Sequence, residues 1–187
     1  MWTIIALVVV LLGSVMIYNG LVRLREHGDG AWADIDVQLK RRYDLIPNLV
    51  ETVKGYASHE RDTLEAVVAA RSRAMSATGP AAKAQAEGML AGALKSLFAL
   101  SESYPDLQAA QNFTNLQETL ADLEHHLGEA RRYYNAVVRD YNTKVGQVPS
   151  NLVAKTFGFR EREFFEAPES DRALPKVSFD TGDDGET

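Results

Sequence analysis

The sequence predicts an all-α chain: an N-terminal transmembrane helix followed by an elongated antiparallel helical bundle. Three features carry this. Trp2 to Val22 are 21 consecutive uncharged positions, 16 of them apolar. From Ala31 onward apolar residues recur at steps of three and four, with no sustained alternation of the kind a half-buried strand would show. Prolines punctuate the periodic stretches at positions where helices begin.

Composition narrows the function classes. The 187 residues are 45% hydrophobic and 25% charged, with a net charge of -6, an ordinary balance for a globular domain. With no cysteine, disulfides, thiolate metal sites and cysteine nucleophiles are excluded. The acidic balance argues against nucleic-acid binding, which draws its affinity from a basic surface that displaces counterions. Three segments follow: a transmembrane anchor over 1–26, a helical bundle over 27–166 and an acidic tail over 167–187. The tail holds six acids against two bases, two prolines and few large apolar groups, too little to offset the entropy of ordering, and is expected to be disordered.

As a helix, the uncharged stretch is about 31 Å long and matches the roughly 30 Å hydrocarbon core of a bilayer. Trp2, Ile4, Leu11, Tyr18 and Val22 mark its course, with Trp2 and Tyr18 placed to reach the two interfaces. A cleaved signal peptide would carry a basic leader and a small-residue cleavage site, and neither is present. Arg23, Arg25, Lys40, Arg41 and Arg42 all follow the stretch and no base precedes it, so the N-terminus is expected outside and the body in the cytoplasm.

In the body, one stripe runs through Trp32, Ile35, Leu39, Tyr43, Ile46, Val53, Leu64 and Val67 and predicts a helix over about 31–76. A second runs through Leu116, Leu120, Leu123, Leu127, Ala130, Tyr134, Val137 and Tyr141, a spacing that keeps a coiled-coil-like seam against a partner helix. Pro80, Pro105 and Pro149 fit helix starts, giving helices near 81–102, 105–146 and 149–157, the last capped by Gly158. The helices over 31–76 and 105–146 are expected to pair as a stalk. Pro47 removes the hydrogen bond to the Tyr43 carbonyl, so a kink is expected there. Gly28-Asp29-Gly30 fits either a hinge or two glycines tolerated in one helix. Phe157, Phe159, Phe164 and Phe165 are too aromatic to leave in water and are expected to fold back on the bundle.

Tyr18-Asn19-Gly20-Leu21-Val22, Ala31-Trp32-Ala33-Asp34-Ile35-Asp36-Val37-Gln38-Leu39 and Arg41-Arg42-Tyr43-Asp44-Leu45-Ile46-Pro47-Asn48-Leu49-Val50 together resemble the LemA family of bacterial membrane proteins. So do Tyr104-Pro105-Asp106-Leu107, Arg131 with Tyr134-Asn135 and Tyr141-Asn142, and Gly158-Phe159 ahead of Phe164-Phe165-Glu166. The resemblance implies a single-pass protein of the bacterial inner membrane with a cytoplasmic helical bundle. It brings no catalytic residue and no cofactor.

No nucleophile-elbow, Walker A or dinucleotide-binding pattern is present, and His27, His59, His125 and His126 are not spaced as metal ligands. An enzyme reading would gain from an internal cavity lined by Asp44, Glu124 and Arg131. At about 100° per residue, Arg41, Asp44, Asn48 and Glu51 share an arc of about 80° opposite the apolar seam. This stripe is either a solvated face or a contact surface, and the family resemblance favours contact. Tyr134 and Tyr141 lie on the seam; Asn135 and Asn142 flank it two turns apart, either to set bundle register or to face another copy. The functional expectation is a membrane-anchored scaffold or interaction protein, self-associating and shaping the membrane. The alternative is a helper or regulator of a membrane protease or signalling protein. Expected partners are the lipid bilayer, a second copy and a membrane protein, with no nucleic acid.

Overall fold

The computed structural model describes residues 1–166, so the tail expected over 167–187 lies outside the described residues. Among the described residues there are six helices and no strand: α1 (Trp2–Tyr56), α2 (Arg61–Ser76), α3 (Pro80–Ser101), α4 (Pro105–Gln108), α5 (Gln111–Gly146) and α6 (Ser150–Phe157). The chain is all-α, with one long apolar helix at its N-terminus.

α1 is a single helix of 55 residues that passes without a break from the apolar stretch into the body. No hinge interrupts it at Gly28-Asp29-Gly30, and it does not end at Pro47. Its partner is α5, and the pairing is antiparallel: Leu21 packs with Tyr141, Trp32 with Tyr134, and Arg42 bonds Glu124. The seam supplied by α1 is Ile35, Leu39, Ile46, Leu49 and Val53, all wholly buried. Each such side chain contributes about 1.5–3 kcal/mol of burial free energy.

The helix expected over 31–76 is two helices. α1 ends at Tyr56, and the turn through Ala57 to Glu60 reverses the chain, so that Arg71 and Ala74 of α2 lie beside Tyr43 of α1. α3 rises again, bringing Glu87 to Tyr43 and Tyr104 to Glu60. The expected long helix from Pro105 is also interrupted: α4 stops at Gln108, and α5 begins after Ala109-Ala110. The result is an up-down-up-down bundle of α1, α2, α3 and α5, in which α1 and α5 extend past the other two.

Pro80 occupies the first turn of α3 behind Gly79, whose φ of 84° lies in the left-handed region that favours glycine. Gly158 closes α6 in the left-handed conformation, as expected from its position. The large side chains between Trp2 and Met16 are exposed, including Ile4 and Leu11, and protein cover begins around Ile17 to Leu21. Val22, placed in lipid by the sequence, is half-buried against the cluster formed by Leu21, Tyr141, Val153, Ala154 and Phe159.

Candidate functional site

Pro47 has no N–H, so the carbonyl of Tyr43 four residues earlier cannot receive its helical bond. Arg71 of α2 replaces that bond: its Nε–H donates to the Tyr43 carbonyl at 2.7 Å. The proline therefore creates the acceptor that helps dock α2 on α1. One residue away, Arg42 is buried at 6% exposure, and Glu87 faces it from α3 at 2%. Arg42 donates to Glu87 at 3.2 Å and to Glu124 at 2.6 Å; the Tyr43 hydroxyl donates to the other Glu87 oxygen. Arg131 stands 3.6 Å from Glu124, with its guanidinium 5.0 Å from the centre of the Phe165 ring.

Two carboxylates thus alternate with two guanidinium groups where α1, α3 and α5 meet, and the cluster is electrically neutral. Burial, reinforced by the bond to Glu87, pushes the Tyr43 phenol well above its ordinary range. Burial pulls the Arg131 guanidinium down, and Glu124 opposes that shift. Both carboxylates are engaged by cations, and Asp44 stands apart and exposed, so the cavity lined by Asp44, Glu124 and Arg131 is not formed. The cluster links α1, α3 and α5, and neither carboxylate is left as an unpaired base.

The second feature is a strap. After α6 the chain runs from Phe159 to Glu166 without helix, back along α5. Asn142 accepts from the Arg162 N–H and donates to the Arg162 carbonyl, both at 2.9 Å. Asn135 does the same for Phe165, accepting at 2.8 Å and donating at 3.3 Å. Seven residues of helix rise about 10.5 Å and three of extended chain about 10 Å, so the two clasps match in spacing. Tyr134 adds a bond to the Glu163 carbonyl at 3.0 Å, and burial raises the phenols of Tyr134 and Tyr141.

Arg162 crosses from the strap to α1, donating to the Arg25 carbonyl at 3.1 Å and to Asp29 at 2.6 Å. Burial, the largest single influence, would lower its pKa; the bond to Asp29, the Asp29 charge and Tyr134 together outweigh it and raise the pKa. Gly28 leaves room for the approach: a Cβ there would lie 3.2 Å from Arg162 Nη1, and the guanidinium would have to give by a few tenths of an ångström. Phe159 and Phe165 are buried, Phe164 is half-buried, and Phe157 stands largely exposed against Tyr18 at 4.9 Å between ring centres.

Arg41, Asp44, Asn48 and Glu51 are all exposed on α1, and Glu51 pairs with Lys54 at 3.5 Å. The polar partners of Asn135 and Asn142 are backbone groups of the strap. Tyr134 and Tyr141 are buried in the α1–α5 seam. His125 and His126 are exposed beside Glu129, and no group of three potential metal ligands forms among the described residues. Nothing in the sequence singles out Glu87 or Arg162 as site residues, and Arg42 figures there among the bases that follow the anchor; the step of a single residue from Tyr43 to Arg42 already put a charge on the edge of the buried stripe.

A family model described as the LemA family matches residues 31–179. The chain belongs to the LemA family. Among its relatives is the magnetosome protein MamQ of Magnetospirillum gryphiswaldense, 26% identical over 92% of this chain and 73% of that protein. Magnetosome protein MamQ 2 of Paramagnetospirillum magneticum is 25% identical, covering 85% of this chain and 68% of its own. Protein LemA of Metamycoplasma hominis is 25% identical, covering 82% and 71%. This LemA-family chain has an N-terminal apolar helix long enough to cross a bilayer, consistent with a membrane protein.

Proposed function

We propose that this LemA-family protein is a membrane-anchored, non-catalytic helical scaffold that self-associates in the bacterial inner membrane, with its N-terminus outside and its body in the cytoplasm. One observation carries the reading: the apolar segment and the first helix of the bundle are the same uninterrupted helix. Any force or orientation imposed on the anchor passes directly to the body, since no loop intervenes. The strap reinforces this continuity by tying the carbonyl of Arg25 and the side chain of Asp29 to the segment that follows α6.

Two further observations support the scaffold part. The charged cluster is neutral and each of its carboxylates is paired with a guanidinium, which supports a structural role. Arg41, Asp44, Asn48 and Glu51 lie exposed along α1, and among the described residues the side chains of Arg41, Asp44 and Asn48 make no hydrogen bond or ion pair within the bundle. They form the surface offered to a second copy, and an array of such copies would act on membrane shape collectively.

Light scattering of the full-length protein in mild detergent tests the proposal. A multiple of the 20.6 kDa chain mass is expected, and Asp44→Lys with Asn48→Ala should shift it toward the monomer without lowering helicity. A strictly monomeric chain at all concentrations would refute self-association, leaving an adaptor for another membrane protein as the reading to pursue.

A further inference from the structure

We infer that α6 is a second membrane contact, an interfacial foot whose apolar side rests in the same leaflet as the C-terminal end of the anchor. The inference rests on α1 being inserted in lipid, and the experiment below separates the two.

The first observation is position. Phe157 packs edge-on against Tyr18 and lines a groove with Leu11, Ser14, Val15 and Tyr18. Tyr18 lies four residues before Val22, so at about 1.5 Å per residue Phe157 sits about 6 Å to the lipid side of the last uncharged position. An aromatic ring beside that part of α1 shares its surroundings.

The second is the distribution of side chains around α6. Ser150, Val153 and Ala154 are buried against α1 and α5, while Leu152 and Phe157 are 64% and 61% exposed, and Val148 just before the helix is 75% exposed. At about 100° per residue, exposed Leu152 and Phe157 bound an arc of about 140° that also holds exposed Thr156 and buried Val153, and Asn151 and Lys155 lie together on the other side. A short helix with one apolar side, one polar side and its flank fixed to an anchor has the form of a helix lying in the bilayer interface. In water, Val148, Leu152 and Phe157 would be a costly apolar edge.

The third is charge. The segments that meet here carry Arg23 and Arg25 of α1, Lys144 of α5, Lys155 of α6 and Arg160 after it, against the acids Glu26, Asp140 and Glu161. Lys144 reaches the level of Gly20 on α1, where its ammonium would meet a Cβ at that glycine. Lysine and arginine at this height suit the headgroups of anionic lipids. Together, α1 and α6 would hold the stalk at two points and so set its tilt.

The chain has no cysteine, so single cysteines can be introduced without background. Nitroxide labels at Leu152→Cys, Phe157→Cys, Val10→Cys and Glu65→Cys are placed in the full chain. Each is reconstituted in vesicles of phosphatidylethanolamine with phosphatidylglycerol. Collision with oxygen, which concentrates in lipid, is compared with collision with a water-soluble nickel chelate. Labels at 152 and 157 should favour oxygen, with a depth between those at 10 and 65. A label at 152 as open to nickel as the one at 65, while 10 stays deep, would overturn the foot and leave the anchor intact. If 10 is itself open to nickel, the anchor reading fails as well. Labels at 152 and 157 shielded from both reagents and broadened by spin–spin coupling would show that a second copy covers α6, which also overturns the inference.

Discussion

Removing the side chains of Asn135 and Asn142 tests how the strap is held. Each asparagine accepts one bond from the strap and donates one to it, at 2.8–3.3 Å. At about 1 kcal/mol per bond, alanine at either position costs about 2 kcal/mol. The double variant should cost about 4 kcal/mol, because the two clasps lie about 10 Å apart and share no partner. The loss is read by hydrogen exchange at the two strap amides that the asparagines receive, Arg162 and Phe165. A loss of 2 kcal/mol lowers protection by roughly 30-fold, and it should be local: Asn135→Ala exposes Phe165 most, Asn142→Ala exposes Arg162 most. The double variant should also lower Tm, since release of the strap withdraws Phe165 from the ring cluster with Trp32 and from Arg131. Unchanged protection of Phe165 in Asn135→Ala would refute the clasp.

Glu87→Ala leaves Arg42 with only the partly exposed Glu124, and should cost about 3–5 kcal/mol in denaturant unfolding; replacing Arg42 and Glu87 together by leucine should recover most of that. The Tyr43 phenol is raised from 10.0 by burial and by Glu87, so the folded state holds its proton more tightly than the unfolded chain. That stability is complete below pH 10 and is lost progressively above it, as the unfolded phenol ionises and the folded one does not. The stability gap between wild type and Tyr43→Phe should therefore narrow as pH rises past 10, and a gap independent of pH would count against the buried phenol. Gly30 has open space around a Cβ, so Gly30→Ala should stabilise α1 by about 1 kcal/mol by thermal melting. Gly28→Val should instead loosen the strap, measured as faster exchange at Arg162, because its side chain displaces the guanidinium.

The helical periods were legible because burial enforces them: Ile35, Leu39, Ile46 and Leu49 are wholly buried, as their spacing requires. The turn at Ala57 to Glu60 was not legible, because Ala57 falls four residues after Val53 and extends the same stripe. The return of Arg71 to the Tyr43 carbonyl and of the Ala74 carbonyl to the Tyr43 hydroxyl, contacts distant in sequence, shows that the chain has reversed. The break at Ala109-Ala110 was hidden for a similar reason, since alanine has the highest helix propensity. The Tyr-Asn pairs announced themselves as a repeat seven residues apart, but their partner is extended backbone, which carries no periodic signature. Pro47 announces a carbonyl without its helical bond at Tyr43, whereas the identity of the replacement donor, Arg71, depends on tertiary contact.

The scaffold reading is tested most directly in intact membranes, where a photoreactive residue at Asp44 or Asn48 is activated in cells making the full-length chain. A homodimer joined through those positions, absent when the photoreactive residue sits at a buried position such as Leu49, is the expected result. A chain that stays unlinked to itself at both positions, or that is recovered from the aqueous fraction, would contradict it.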